Sequence, residues 1–459
     1  MNTPSATYHA LKVDAQKCIG CTHCMRSCPT EAIRIRNGLA VIDSQRCVDC
    51  GQCMRVCPVK AIFVEQDDLD KIKAFKYRVV LFPSVMIGQF PEKYTEDQVY
   101  AALLTIGFTH VYEVEQPIGF LIDSIKDYCR KEKNVRPHIS TFCPSIVRLI
   151  KIRYPSLVDN MILRKAPHDL GAHLAIEQLM QQGALREEIG LFYVTPCIAK
   201  ITSVKSPIGE KESIVDGVIN MNELYNHVRK NINTTDVPNT SALRETLTRD
   251  GILWSLTRGE AVHFGERSMA IDGIHNVIKF LERLENEEVP DIDFLELRAC
   301  DQSCAGGNLL SGNRFLTVER LERRGKRYES TSKFKEHPIQ QMADTLKPKL
   351  IADPIRPKPV FILGDNREQA LEKMSRMQRI ICSLPAIDCG ACGAPNCQAL
   401  AEDMVCGQAK MSDCIFLQQS WQGENKISPA KALNNMERKW GKDRFKADCN
   451  KRGRRNEGF

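Results

Sequence analysis

Residues 18–29, CIGCTHCMRSCP, and residues 47–58, CVDCGQCMRVCP, form two cysteine blocks with the same spacing near the start of the chain. In each block two-residue gaps separate the first three cysteines, and a fourth cysteine follows three residues later, directly before a proline. Such gaps let three thiolates curl around one corner of a metal cluster, whereas the fourth cysteine lies too far along and ligates a second cluster. The repeat therefore predicts a compact two-cluster module over residues 8–66.

The two blocks resemble the bacterial ferredoxin run, here duplicated, and predict two [4Fe-4S] clusters. The first cluster is assigned Cys18, Cys21, Cys24 and Cys57, and the second Cys47, Cys50, Cys53 and Cys28. Structural zinc is the alternative, but zinc sites favour separated cysteine pairs over two such runs. His23 lies inside the first block, where every ligand position is already filled, and is expected at the surface.

Composition describes a globular chain with clustered thiols. The 459 residues are 43% hydrophobic and 26% charged, which suggests about three domains at roughly 150 residues each. We expect a cytoplasmic protein without membrane insertion, because no apolar run of about 18 residues and no signal-peptide pattern occurs. Twenty cysteines in such a chain are expected to be metal ligands rather than disulfides.

A third cysteine cluster lies at residues 389–414, behind a predicted amphipathic helix over residues 366–383 whose Met374, Met377 and Ile381 are expected to pack in a core. The ligand set chosen is Cys389, Cys392, Cys397 and Cys414, with Cys406 as a less well spaced alternative. This cluster resembles the small four-cysteine [4Fe-4S] domain of electron-transfer and corrinoid proteins, and structural zinc is again the alternative. The predicted domain is 366–420, followed by a basic, flexible tail over residues 421–459.

The middle of the chain, residues 78–355, is predicted to be an α/β domain, since apolar runs at Val79–Phe82, Gly190–Val194 and Phe294–Leu297 alternate with amphipathic stretches. Three short motifs there carry four more cysteines: Cys143, Cys197, Cys300 and Cys304. Two of these motifs follow or end a predicted strand, where α/β folds place cofactors. Four thiolates from three loops are enough for one more cubane. The predicted fold class is therefore multidomain α/β, with a ferredoxin-like α+β module in front and a small helical module behind.

These three motifs resemble the signature motifs of the [FeFe]-hydrogenase large subunit. The resemblance implies a cubane held by Cys143, Cys197 and Cys300, with Cys304 bridging it to a diiron unit that carries CO, cyanide and a bridging dithiolate. Together these form the H-cluster. Lys200 matches the lysine that hydrogen-bonds a cyanide ligand, so Lys200 and Cys304 are the expected catalytic residues.

Several positions depart from the catalytic members of that family. Phe142 stands where they place a cysteine that passes protons, and a phenyl ring can neither donate nor accept a proton. Ser203 replaces a glutamate, and Arg298 and Thr195 replace methionines. Ile122 and Ile125 stand at the positions of the two relay carboxylates. Asp123 and Asp127 are near these positions but out of register. Substitute relay candidates are Cys129, Glu260, His263 and Glu266. The usual proton route is therefore expected to be cut.

The resemblance then implies a slow or hydrogen-sensing hydrogenase that passes electrons through its [4Fe-4S] clusters to a redox or signalling partner. Its other expected partners are H2 and the hydrogenase maturases, under anaerobic conditions. The alternative is a non-catalytic electron-transfer or iron–sulfur assembly protein without the diiron unit. The formal charge of +7 becomes about −1 once four clusters are counted at about −2 each, so nucleic-acid binding is not expected.

Overall fold

The computed structural model describes residues 8–233, 246–289, 291–331, 339, 342–358 and 366–445. The chain forms two compact units. The smaller unit comprises Met1–Cys47, Gly51–Glu65 and Pro359–Phe459, and the larger unit comprises Val48–Cys50 and Gln66–Lys358. The ferredoxin-like segment and the C-terminal segment therefore belong to the same unit.

The described residues contain eleven strands and seventeen α-helices. Strands β1 to β11 are Leu11–Val13, Ile33–Arg36, Leu39–Ile42, Ile62–Val64, Tyr77–Phe82, His110–Glu113, His138–Ile139, Ile189–Thr195, Gly217–Asn220, Ser268–Asp272 and Phe294–Arg298. Helices α1 to α17 are His23–Ser27, Gln52–Arg55, Val85–Gly88, Glu96–Ile106, Ile118–Lys131, Pro144–Arg153, Pro167–Gln181, Ile198–Lys205, Met221–Asn231, Arg249–Leu253, Ile274–Glu285, Arg314–Gly325, Ala343–Leu346, Arg367–Cys382, Cys397–Val405, Ile415–Gly423 and Pro429–Trp440.

The N-terminal part of the smaller unit has the duplicated ferredoxin-like α+β arrangement. Strand β1 pairs antiparallel with β4, and β2 pairs antiparallel with β3. Each short helix, α1 or α2, begins just before the third cysteine of its block. Both helices follow a residue in the left-handed region, Thr22 at φ 72° and Gly51 at φ 75°, which bends the cysteine loop back on itself. The predicted fold class of this segment is confirmed.

The C-terminal part of the smaller unit is helical, as predicted. Met377 and Ile381 of α14 pack against a core that includes Leu400 of α15. Met374 is 56% exposed, so the expected core role of this residue is wrong, because the partner helix covers only the second half of α14.

Part of the predicted flexible tail is folded. Helix α17 lies within residues 421–459, and Arg438 and Lys439 near its end form ion pairs with the buried Asp413 at 2.6 Å and 3.1 Å. The basic residues that suggested a solvated end thus neutralise a buried carboxylate. The last fourteen positions, 446–459, lie outside the described residues.

The larger unit is α/β and contains two parallel sheets. One has the strand order β6-β5-β8-β9 and the other the order β10-β11-β7, and helices connect the parallel strands. The three predicted strands are confirmed as β5, β8 and β11. Strand β8 is buried along its whole length, as expected for a central parallel strand.

In the part of the chain that the structure describes, we find no helix with the length and apolar character required to cross a bilayer.

Candidate metal centres

The first predicted ligand set of the ferredoxin module lies close together. Burial raises the pKa of the Cys24 thiol to about 12, and the nearby charges of the other three predicted ligands act in the same direction: Cys21, Cys18 and Cys57. The backbone N–H of Ala61 donates to Sγ of Cys57 at 3.2 Å, and that of Ala40 donates to Sγ of Cys18 at 3.4 Å. Hydrogen bonds to cluster sulfurs are one way in which a protein tunes an iron–sulfur site. His23 is exposed, as predicted.

The second predicted set is divided between the two units. Cys28, Cys47 and Cys53 belong to the smaller unit, where the backbone N–H of Ala32 donates to Sγ of Cys28 at 3.2 Å. Cys50 belongs to the larger unit, where its carbonyl accepts a hydrogen bond from the Asn308 amide at 2.7 Å. Its membership of the second cluster stays a prediction.

In the C-terminal module, the loop after α14 brings thiols together. Burial raises the pKa of Cys392 to about 11, and the charges of Cys389 and Cys414 also raise it. Cys397 begins α15 and packs against the same core. Cys406 is exposed, which makes it a weaker choice of ligand than the four assigned cysteines.

In the larger unit, three loops that are far apart in sequence bring cysteines to one place. Cys143 follows β7 and caps α6, whereas Cys197 follows β8 and caps α8. Burial raises the pKa of Cys197 to about 12, the charges of Cys143 and Cys304 raise it further, and the Lys200 ammonium opposes them. All of these loops leave the carboxyl ends of parallel strands, which is where the topology of α/β folds opens a site.

The loop after β11 contains a single turn of 3₁₀ helix. Cys300 lies outside any helix, and Ser303, at φ 51°, begins the 3₁₀ helix Ser303–Gly306 that contains Cys304. A Cβ at Gly306 would come within 1.7 Å of the Asp301 carbonyl oxygen. The glycine is therefore required by the chain's own backbone in this turn.

Phe142 lies between two buried cations. Nζ of Lys200 is 4.0 Å from the ring centroid, and the guanidinium carbon of Arg298 is 4.1 Å from it. The exposed fractions of the three side chains are 6% for Phe142, 4% for Lys200 and 2% for Arg298. Both cations also act on Cys304, because their charges lower the pKa of this thiol against the larger opposing effect of burial.

The buried cations carry hydrogen-bond donors that acceptor atoms of a cofactor could satisfy. Arg298 pairs with Glu260 at 3.1 Å, yet its guanidinium nitrogens are buried without a well-aligned hydrogen bond to any of the described residues. The hydroxyl of Tyr193 is also buried, beside Thr195. Buried donors of this kind are costly unless an acceptor satisfies them. The pocket therefore fits a group that brings anionic acceptor atoms next to the thiols, as cyanide ligands on a diiron unit would.

Of the substitute relay residues, Glu260 is the one placed by direct contacts beside Phe142. Its carboxylate accepts a hydrogen bond from Oγ of Ser140 at 2.5 Å, and the same Oγ accepts one from the Phe142 backbone N–H at 3.2 Å. The others lie in different surroundings: Glu266 is exposed, His263 stacks on Trp254, and Cys129 is partly buried, which raises its pKa to about 11.

The upstream relay positions are apolar or solvated. Ile122 and Ile125 are buried in the core, whereas Asp123 and Asp127 are exposed and Asp127 pairs with Arg130 at 3.0 Å. Ser203 donates to the carbonyl of Lys200, at 2.9 Å. The described contacts therefore place no titratable side chain at these positions within the core.

The sequence analysis missed Glu115. This carboxyl group is 1% exposed, and burial, followed by the charge of Glu113, raises its pKa to about 8. It accepts hydrogen bonds from the Ser84 backbone N–H at 3.0 Å and from Oγ of Ser255 at 3.2 Å, and the Lys200 charge acts on it. The available signal was its position just after β6, at the same sheet edge as Cys197.

Comparisons with known proteins agree with this arrangement. The model of the iron-only hydrogenase large subunit, C-terminal domain, matches residues 76–261. The model of a 4Fe-4S dicluster domain matches residues 11–64, and that of an Fe-S cluster domain matches residues 384–416.

One curated relative is the periplasmic [Fe] hydrogenase large subunit of Nitratidesulfovibrio vulgaris, which is 29% identical over 217 residues, covering 42% of this chain and 50% of that protein. The chain thus spans about half the length of this relative. Among solved structures, an apo variant of the [FeFe]-hydrogenase from Chlamydomonas reinhardtii is 15% identical, with a TM-score of 0.49 over 62% of this chain and 96% of that one. A second variant is 16% identical, with a TM-score of 0.47 and the same coverage.

The matches agree with the resemblance drawn from the cysteine motifs. Residues 76–261 are thus similar to the C-terminal domain of the iron-only hydrogenase large subunit, and in this chain they follow a segment that matches a 4Fe-4S dicluster domain.

Proposed function

We propose that the protein is an [FeFe]-hydrogenase of slow, hydrogen-sensing type. In this proposal Cys143, Cys197 and Cys300 hold a cubane, and Cys304 joins it to a diiron unit. When bound, that unit supplies the chemistry by which H2 is split into protons and electrons. The four thiols lie on strand-end loops, and the charge interactions of Cys143, Cys197 and Cys304 with one another support the assignment.

Lys200 has the role of holding an anionic ligand of the diiron unit. Its ammonium is buried and close to Cys304, and the charges of Tyr193, Cys304 and Cys197 keep its pKa above the ordinary value, although burial alone would lower it. A charged donor in a site without water stabilises an anionic acceptor more strongly than it would in solvent. Arg298 adds a second charge of the same sign, 4.1 Å from the Phe142 ring centroid.

Slow turnover rests on one observation, the position of Phe142 between Lys200 and Arg298. Proton transfer requires a donor or acceptor within hydrogen-bond reach, directly or through one water. The ring fills the place of the proton-passing thiol, and the buried carboxylates Glu260 and Glu115 offer only indirect routes. Low flux suits a sensor, which needs to report H2 rather than consume it.

Electrons would leave through the [4Fe-4S] clusters to a redox or signalling partner. We place this activity in the cytoplasm under anaerobic conditions, with maturases that deliver the diiron unit.

The test is infrared spectroscopy of protein produced anaerobically with hydrogenase maturases, combined with H2-dependent reduction of a dye. Bands of bound CO and cyanide with slow dye reduction are expected. Bands without any dye reduction would indicate that the protein binds the diiron unit but does not react with H2. Absence of the bands would favour the alternative, an electron-transfer or assembly protein that carries cubanes alone.

A further inference from the structure

The C-terminal cysteine loop lies against the first cysteine block of the ferredoxin module, within the smaller unit. Nη2 of Arg26 donates a hydrogen bond to the carbonyl oxygen of Cys389 at 3.1 Å. A Cβ at Gly390 would lie 3.0 Å from Cε of Met25, whose side chain is only 1% exposed. The residues that follow Cys24 thus contact the residues that carry the first C-terminal ligand.

Buried ion pairs hold this contact in place. Asp403 of α15 pairs with Arg34 at 2.9 Å and with Arg36 at 2.6 Å, and all three side chains are largely shielded from solvent. The backbone N–H of Ile35 also donates to the carbonyl of Gly393 at 2.8 Å. Arg46 forms a further pair with Glu402 of the same helix at 3.0 Å. Buried pairs with several hydrogen bonds favour one geometry over the alternatives, so the two loops keep a defined separation.

We propose that the C-terminal cluster exchanges electrons directly with the cluster held by Cys18, Cys21, Cys24 and Cys57. The connection runs from Cys24 two residues along the chain to Arg26, and from there through one hydrogen bond to the backbone of Cys389. One electron passes in each event: the donor cluster is oxidised and the acceptor cluster is reduced by the same electron, with no bond made or broken. The C-terminal module is then the outer end of the ferredoxin relay, and not a separate structural site.

The repeat supplies an internal control. Cys24-Met25-Arg26 of the first block corresponds to Cys53-Met54-Arg55 of the second, and both arginines are exposed. The hydrogen bond to Cys389 is made by Arg26. Since the two positions are chemically matched, Arg26→Ala and Arg55→Ala remove the same charge next to two different clusters.

The experiment uses the full chain, reconstituted with iron and sulfide under anaerobic conditions and reduced with dithionite, so that it depends on neither H2 nor the diiron unit. Electron paramagnetic resonance is expected to show faster spin relaxation and a broadened signal when both clusters are reduced. The part of both effects that comes from the C-terminal cluster should be lost in Cys389→Ala, which removes one of its ligands, whereas coupling between the two ferredoxin clusters should remain. Rapid-freeze measurements should show several-fold slower electron equilibration in Arg26→Ala than in Arg55→Ala.

Identical signals in the fully reduced parent and Cys389→Ala proteins would overturn the proposal, as would zinc in place of iron at the C-terminal site. Equal equilibration rates in the two arginine variants would overturn the route through Arg26. None of these results bears on hydrogen chemistry, which keeps failure of this proposal distinct from failure of the proposed function.

Discussion

The cysteine sites of the two units are built in different ways. In the ferredoxin module the predicted ligands lie in two short blocks of sequence, and backbone N–H groups such as those of Ala61 and Ala40 donate to the sulfurs. In the larger unit the thiols come from three distant loops and lie beside two buried cations, Lys200 and Arg298. A [4Fe-4S] cubane alone requires only thiolates as ligands and backbone N–H groups as hydrogen-bond donors. Buried cations indicate additional anionic ligands, which is what a diiron unit with cyanide would add.

The largest effect is expected from Cys304→Ala, because Cys304 is the proposed bridge between the cubane and the diiron unit. All infrared bands of CO and cyanide should disappear, while the resonance signals of the ferredoxin clusters stay unchanged. Cys406→Ala is the matched control, since Cys406 is exposed. Bands that survive in Cys304→Ala would assign the bridge to another residue.

Glu260→Gln tests the buried charges directly. The substitution leaves Arg298 with a weaker compensating charge, because Glu296 lies farther away, at 3.6 Å, than Glu260 does, at 3.1 Å. Breaking a buried pair in this way costs about 3–5 kcal/mol of the free energy of unfolding. Denaturant titration measures the loss. The exposed control Glu266→Gln should stay within about 0.5 kcal/mol of the parent, and equal stability of the two variants would contradict the pairing.

Phe142→Cys should increase the rate of dye reduction under H2. General acid–base groups contribute about 10²–10⁴-fold to a rate, and we expect about 10²-fold because further relay positions remain apolar. The new thiol would lie two residues from Ser140, which donates to Glu260 at 2.5 Å. Dye reduction under H2 measures the rate, and Phe142→Ala controls for the lost ring. If the two variants have equal rates, proton transfer at this position is not what limits turnover.

Lys200→Met removes the ammonium but keeps most of the side-chain volume. Loss of a charge-assisted hydrogen bond costs about 1.5–3 kcal/mol, or roughly 10–100-fold in retention of the diiron unit. The cyanide bands should shift and weaken, whereas the cubane signals remain. Lys205→Met is the matched control at the other end of α8, and unshifted cyanide bands in Lys200→Met would place the ammonium away from the cyanide.

Local patterns were readable from the sequence, whereas properties that depend on tertiary packing were not. The ferredoxin spacing is confined to twelve residues in each block, so a ligand set could be proposed without knowing the fold. The strands β5, β8 and β11 were readable because buried parallel strands are continuous apolar runs.

The failures share one cause, which is that the partner of a residue lies elsewhere in the chain. Met374 is exposed because α15 packs against only the second half of α14. Helix α17 is folded because Arg438 and Lys439 pair with the buried Asp413. Glu115 was overlooked because a carboxylate after a strand is ordinarily solvated, and only the packed structure buries it.

The central claim is that the pocket of Cys304, Lys200 and Phe142 receives a diiron unit. Infrared spectroscopy of the anaerobically matured protein tests this claim most directly. The account predicts bands of both cyanide and CO, which shift when the sample is exposed to H2. The claim would be contradicted by a protein with all its cubanes in place, no further iron, and no infrared bands of cyanide or CO.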